Sequence, residues 1–315
     1  MSLREGAETI INQCLNVKDD ESVLVLNDSN DEELIESLLD VLADRDIKHE
    51  LVRYEEPEKQ GQEPPKFVAK KMKKSNVFIA PTVKSLSWTK ARIEANEAGA
   101  RGATLPSINR TVWEGALQAD YNRVEEITEK GHELLKGVEK VKIESPSGTD
   151  LEVELGDKLV PGKGIVHEPG EFSNLPAGEV YTAPLDANGV MVIDNFVVEG
   201  SGTKVRIRDG KVTEIIEAKD AEKIRDAIEN IENGENIAEF GLGTNPQANL
   251  VNNVLQDEKS LGTVHIAMGN SMPIAEKEGN GVESEIHWDN VIRDPTVWFD
   301  DKKVLDEGEP VFLDE

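Results

Sequence analysis

The sequence predicts an α/β N-terminal domain with a parallel sheet, followed by an α+β, largely antiparallel C-terminal domain. Three observations carry this expectation. Up to about residue 138, short apolar runs alternate with stretches of helical periodicity, the pattern of βα units and a parallel sheet. Beyond it, strand-like runs follow one another across turn signals, above all Asp209-Gly210. The chain has 315 residues, enough for two cores of ordinary size. The expected division is an α/β scaffold over residues 1–138 and a metal-binding α+β domain over residues 139–315.

Val23-Leu24-Val25-Leu26 is the first strand. Asn30 or Ser29 is placed to cap the next helix, whose apolar positions Leu34, Ile35, Leu38, Leu39 and Leu42 recur with a 3.6 period. A second strand begins at Leu51-Val52, a helix spans Phe67 to Met72, and Val77 to Ala80 is a third strand closed by Pro81. A helix from about Trp88 to Ala98 precedes a fourth strand, Gly102 to Leu105, closed by Pro106. The loop after the first strand, Asn27-Asp28-Ser29-Asn30-Asp31, is acidic and lacks glycine. That disfavours a nucleotide site, which needs backbone N–H groups close to phosphate. A helix near residues 120–136 joins the domains. Strands follow at 141–144, 151–155, 205–208 and 212–216. A helix marked by Ile224, Ala227, Ile228 and Ile231 ends at Gly234, and strands resume at 237–240, 264–268, 286–292 and 297–299. Pro161-Gly162-Lys163-Gly164 and Glu278-Gly279-Asn280-Gly281 are expected as mobile loops.

The chain carries 35 Lys+Arg against 63 Asp+Glu, a net charge of -28. The acids are spread along its whole length, the surface of a halophile, which stays soluble where salt screens self-repulsion. No basic stripe is visible, which argues against nucleic acid and anionic membranes as partners. Cys14 is the single cysteine, so thiolate metal clusters and intrachain disulfides are excluded. No stretch approaches the roughly 20 apolar residues needed to span a bilayer, and the expected location is the cytoplasm.

The chemistry concentrates in a few positions. In Glu285-Ile286-His287-Trp288-Asp289-Asn290-Val291, a strand places His287 and Asp289 on one face and Ile286 and Trp288 on the other. That is half of a metal site, or a base with the group that orients it. His265 lies in the apolar strand Thr263-Val264-His265-Ile266-Ala267-Met268-Gly269, where a buried imidazole needs a partner. Taken alone it reads as a core histidine; with His287 and Asp289 it completes a metal-binding face. Glu179 and Glu239 each interrupt an apolar, glycine-flanked run. Three carboxylates and two imidazoles suit a pair of divalent ions roughly 3.5–4 Å apart. His49 and His132 sit among charged neighbours and are read as solvated surface residues, while His167, in a Gly/Pro-rich loop, is kept as a lesser candidate.

PAGEVYTAP, AEFGLGTNP, TVHIAMG and IHWDN, in this order, resemble the metal-binding motifs of the aminopeptidase T and aminopeptidase S metallopeptidases, and SPSGTDLEVEL also fits. The resemblance is best over about 140–300. It implies a metallo-aminopeptidase acting on peptides, a cytoplasmic homodimer, with Glu179, Glu239, His265, His287 and Asp289 holding two ions of zinc, cobalt or manganese. One position departs: the family's tyrosine, seven residues after the first metal histidine, is Met272, which supplies no hydrogen bond to an oxyanion. The catalytic residue is therefore left open, with Tyr181 as a nearby hydroxyl. Two alternatives stand beside this one. His265, His287 and Asp289 also match a two-histidine-one-carboxylate set for one iron, and ring-cleaving dihydroxypyridine dioxygenases are similar in overall fold. The other is a metal-binding protein without turnover.

Overall fold

The structure, a computed structural model, describes residues 2–194, 202–217, 221–272, 274–275 and 281–313. Its strands, in chain order, are β1 Ser22–Asn27, β2 Lys48–Arg53, β3 Val77–Ala80, β4 Arg101–Thr104, β5 Lys140–Glu144, β6 Asp150–Leu155, β7 Val160–Gly162, β8 Phe172–Asn174 and β9 Glu179–Thr182. They continue with β10 Pro184–Ile193, β11 Thr203–Arg208, β12 Lys211–Glu217, β13 Ile237–Gly243, β14 Val264–Gly269, β15 His287–Ile292, β16 Thr296–Phe299 and β17 Lys302–Leu305. The expected fold class is what is found: a parallel sheet with helices in the N-terminal region and two antiparallel sheets in the C-terminal part. The chain divides into two compact units, and the boundary between them first falls within the helix Tyr121–Leu135.

The first unit comprises Met1–Glu125, Lys163–Ala177 and Gln247–Asn249. Its sheet has the order β2-β1-β3-β4-β8 and is parallel throughout. β1 and β3 are almost continuously apolar because both faces are covered. The helix Glu32–Asp44 buries Leu34, Ile35, Leu38 and Leu42 as its periodicity predicts, with Val41 also buried and Leu39 only half-buried. Its cap is Asp31, which accepts from Glu33 N at 3.0 Å, and not Asn30 or Ser29. The glycine-free loop after β1 is sealed by its own acid. Buried Asp28 accepts from Val83 N at 2.7 Å and Lys84 N at 3.0 Å, so its carboxylate holds the amides that an anion would otherwise seek.

The second unit, Glu126–Gly162, Gly178–Pro246 and Leu250–Glu315, holds the antiparallel sheets. One has the order β12-β11-β10-β6-β5-β16-β17. β5 and β6 alternate, with Val141, Ile143, Leu151, Val153 and Leu155 inward and lysines and glutamates outward. Asp209 and Gly210, with φ of 48° and 69°, make the tight turn expected between β11 and β12. The other sheet has the order β15-β14-β13-β9-β7. One of its faces sends Val180, Phe240, Leu242, Val264, Ile266 and Met268 into a core shared with the inward residues of the first. Phe240 and Phe299 meet there edge to face, 6.4 Å between centroids. Pro161-Gly162, expected in a mobile loop, lies in the edge strand β7, where a proline removes no needed donor. In the second such loop, residues 276–280 lie outside the described residues.

Arg101 opens β4 and ties the N-terminal segment to the parallel sheet. Its guanidinium, almost fully buried, is 2.6 Å from Glu21 Oε1 and donates to Leu15 O at 2.9 Å. Removing it strands a carboxylate and a carbonyl, so Arg101→Ala should lower stability by about 3 kcal/mol, measured as a lowered midpoint in urea unfolding at fixed salt.

Candidate metal centre

Strand register places all five candidate residues on one face. In an antiparallel pair, opposed residues project the same way, and the face recurs every second residue. Gly241 on β13 pairs with His265 on β14, and Glu239 with Ala267. Ala267 in turn pairs with Asp289 on β15, and Gly269 with His287. Gly243 pairs with Glu179 on β9. Glu179, Glu239, His265, His287 and Asp289 therefore all leave the face opposite the core. Between them lie Gly241, Gly243, Ala267 and Gly269, a floor with almost no side chain.

The donors converge in two overlapping sets. Glu179, Glu239 and His265 form one and Glu239, His287 and Asp289 the other, with ligand atoms in each set within 4.8 Å of one another. His265 Nε2 is 3.1 Å from Glu239 Oε1 and 3.7 Å from Glu179 Oε2. His287 Nε2 is 3.4 Å from Glu239 Oε2 and 3.5 Å from Asp289 Oδ1. Neighbouring ligands about 2.1 Å from one octahedral ion stand about 3 Å apart, so these spacings suit a shared cation. Two buried atoms of the cluster, Glu179 Oε2 and His265 Nδ1, have no hydrogen-bond partner. Buried polar atoms are normally satisfied, and an orphan carboxylate oxygen, Glu179 Oε2, beside the other donors marks a place suited to a cation.

The backbone fixes His287 further. Its Nδ1 donates to Asn270 O at 2.8 Å, leaving Nε2 to face the carboxylates. Asn270 N donates to Ile286 O at 2.7 Å and Ser271 N to Val282 O at 2.9 Å, so the connection between β14 and β15 is tied at its base. Gly241 cradles the other imidazole: a Cβ there would lie 2.1 Å from His265 Cε1 and Nε2. Tyr181, on the same face of β9, packs against Ala183, Ile274 and Ala275. Met272 is 54% exposed.

Electrostatics binds the cluster. Burial alone would lower the pKa of His265; the hydrogen bond to Glu239 and the charges of Glu239, Glu179 and Asp289 outweigh it and push it up to about 9. His287 is raised as well, burial being overcome by Asp289 and Glu239. Burial opposes the ionised Glu239, but its histidine hydrogen bonds hold its pKa below the usual value. Asp289 is likewise held down, burial being outweighed by His287.

Two residues escape sequence reasoning. Lys259 Nζ is 2.6 Å from Glu179 Oε1 and also contacts Glu258 Oε1, and both Glu258 and Lys259 are buried. Burial pushes the Glu258 carboxyl up to about 8. Gln256-Asp257-Glu258-Lys259 has the composition of a solvated turn, and nothing in it signals burial. The remaining histidines stay apart from this cluster: His49 Nδ1 faces Ile47 O at 2.8 Å, His132 is 3.7 Å from Glu129, and His167, the lesser candidate, turns its Nε2 to Gln13 O at 2.9 Å.

A sheet face carrying two histidines and three carboxylates, with its other face in a core, has the donor set of a metal-binding protein. The family model described as NicX, 2,5-dihydroxypyridine 5,6-dioxygenase, matches residues 5–312, and the chain belongs to that family. The 2,5-dihydroxypyridine dioxygenase of Pseudomonas putida KT2440 is similar in structure, with a TM-score of 0.79, 18% identity and coverage of 98% of this chain and 96% of that one. AmpT of Thermus thermophilus is similar at a TM-score of 0.65, 19% identity and 98% coverage of both chains. At such identities these structures speak for the fold. No curated protein sequence matches.

Family membership corrects the expected metallo-aminopeptidase. AmpT is a neighbour in fold, and the peptidase assignment, with its hydrolase chemistry, falls to the dioxygenase family. The family also points to iron in place of a dinuclear zinc, cobalt or manganese centre. The peptide substrate inferred from the peptidase motifs loses its basis with them. Among the described residues no helix is long and apolar enough to cross a membrane.

This geometry has two measurable outcomes. Gly241→Ala forces the His265 ring out of its place and should weaken divalent-ion binding at least about tenfold, read by titration calorimetry. The neighbouring carboxylates draw both imidazoles toward protonation, so an ion must displace protons. Affinity should therefore climb as pH rises toward about 9, where His265 gives up its proton unaided, and calorimetry near pH 7 in buffers of different ionisation enthalpy should show proton release.

Proposed function

We propose that the chain is a mononuclear, iron(II)-dependent dioxygenase that opens the ring of a dihydroxylated pyridine. The observation that carries this is family membership across 5–312, coinciding with His265, His287 and Asp289 on one face of neighbouring strands. These three would hold the ion as two histidines and one carboxylate. Glu239, with an oxygen toward each Nε2, is a further donor at hand. When bound, iron supplies the electron exchange through which dioxygen reacts with an aromatic ring. In the reaction of the family's name, the ring bond between carbons 5 and 6 breaks and both atoms of O2 enter the product.

The chain's own groups do the rest. Asn270 O keeps Nε2 of His287 aimed at the carboxylates. Glu239, with its lowered pKa, is a weak base that orients both imidazoles. Tyr181 with Ile274 and Ala275 forms an apolar wall on the same side of the sheet, suited to a flat ring.

Protein loaded with iron(II) in concentrated salt should consume one O2 per 2,5-dihydroxypyridine, with loss of the ring's ultraviolet absorbance. His287→Ala should cut the rate more than about 100-fold. No oxygen uptake across a panel of dihydroxypyridines with full iron occupancy would sink the proposal.

A further inference from the structure

The donors on this face exceed what one ion needs. The two sets are each compact enough to surround a cation, and they share only Glu239. If a single ion takes His265, His287 and Asp289, with Glu239 at hand between the two imidazoles, the donor left over is Glu179. Its role as a spare acid rests on the one-ion function proposed for the chain. Glu179 Oε1 is 2.6 Å from Lys259 Nζ, and Lys259 is 3% exposed. The approach is built into β13. A Cβ on Gly243, the residue paired with Glu179, would lie 2.1 Å from Ser260 O, so only glycine lets the 259–260 backbone close onto the sheet there.

We infer that Lys259 is a built-in cation standing in for a second metal ion, and that it sets the capacity of the centre at one. Its ammonium already compensates Glu179 and Glu258. A divalent ion drawn to Glu179 would meet a fixed positive charge, and buried like charges repel far more strongly than they do in water. Among the described residues, the Lys259 ammonium donates to Glu179 and Glu258 and to none of the three residues assigned to the iron. It acts through Glu179, as a positioning residue that decides how many ions the acids accept.

The test is metal stoichiometry, which does not require turnover. Iron(II) under argon, and manganese(II) as a redox-stable probe, are titrated into the full chain, and bound metal is counted after desalting. Wild type should bind one ion. Lys259→Met should bind two, the second at least about tenfold more tightly than any second ion on wild type. Glu179→Gln should still bind one, because Glu179 serves Lys259. One ion on folded Lys259→Met overturns the inference, as do two on wild type or none on Glu179→Gln; each leaves the oxygenase assay to be judged separately. If Lys259→Met does not fold, wild type and Glu179→Gln still decide. Wild type that binds no divalent ion overturns the proposed function and this inference together.

Discussion

The structure turns on negative charge gathered where water is scarce. Glu179, Glu239 and Asp289 project from one face of a sheet whose other face is committed to the core, so they cannot turn away. A buried carboxylate is tolerated only with a positive partner or a proton. The chain uses three devices side by side: imidazoles drawn toward protonation, an ammonium set between two acids, and one carboxyl, Glu258, pushed toward its neutral form. Each is a response to the same deficit of positive charge. The unpartnered Glu179 Oε2 marks what those devices leave unmet.

Much of this was legible in the sequence, for identifiable reasons. The alternation in His287-Trp288-Asp289 is a property of any strand, so their shared face could be deduced before the fold was known. The long apolar runs gave β1, β3 and β14. Other parts were hidden by shortness or by context. β7 and β8 have three residues each, too few for a periodic signal. Lys259 and Glu258 sit in a charged run, and such runs are normally solvated; only the fold reveals that this one is buried.

The reaction was harder to read than the site. Motifs such as TVHIAMG and IHWDN report donor types and their strand spacing, and hydrolases and oxygenases can use the same donors. Met272, in place of a tyrosine, was the sequence's one sign against peptidase chemistry. The structural likeness to both a dihydroxypyridine dioxygenase and AmpT shows why fold could not arbitrate. The surroundings of the donors, Lys259 above all, are where such proteins have room to differ.

The tied base between β14 and β15 has an evolutionary consequence. His287 owes its aim to Asn270 O, while Asn270 N and Ser271 N lock onto Ile286 and Val282. Register is thus settled before the chain leaves for the segment between residues 271 and 282. That segment is free to lengthen, shorten or change composition without moving a single donor. Natural selection can rewrite what stands beside the centre at little cost to the centre itself.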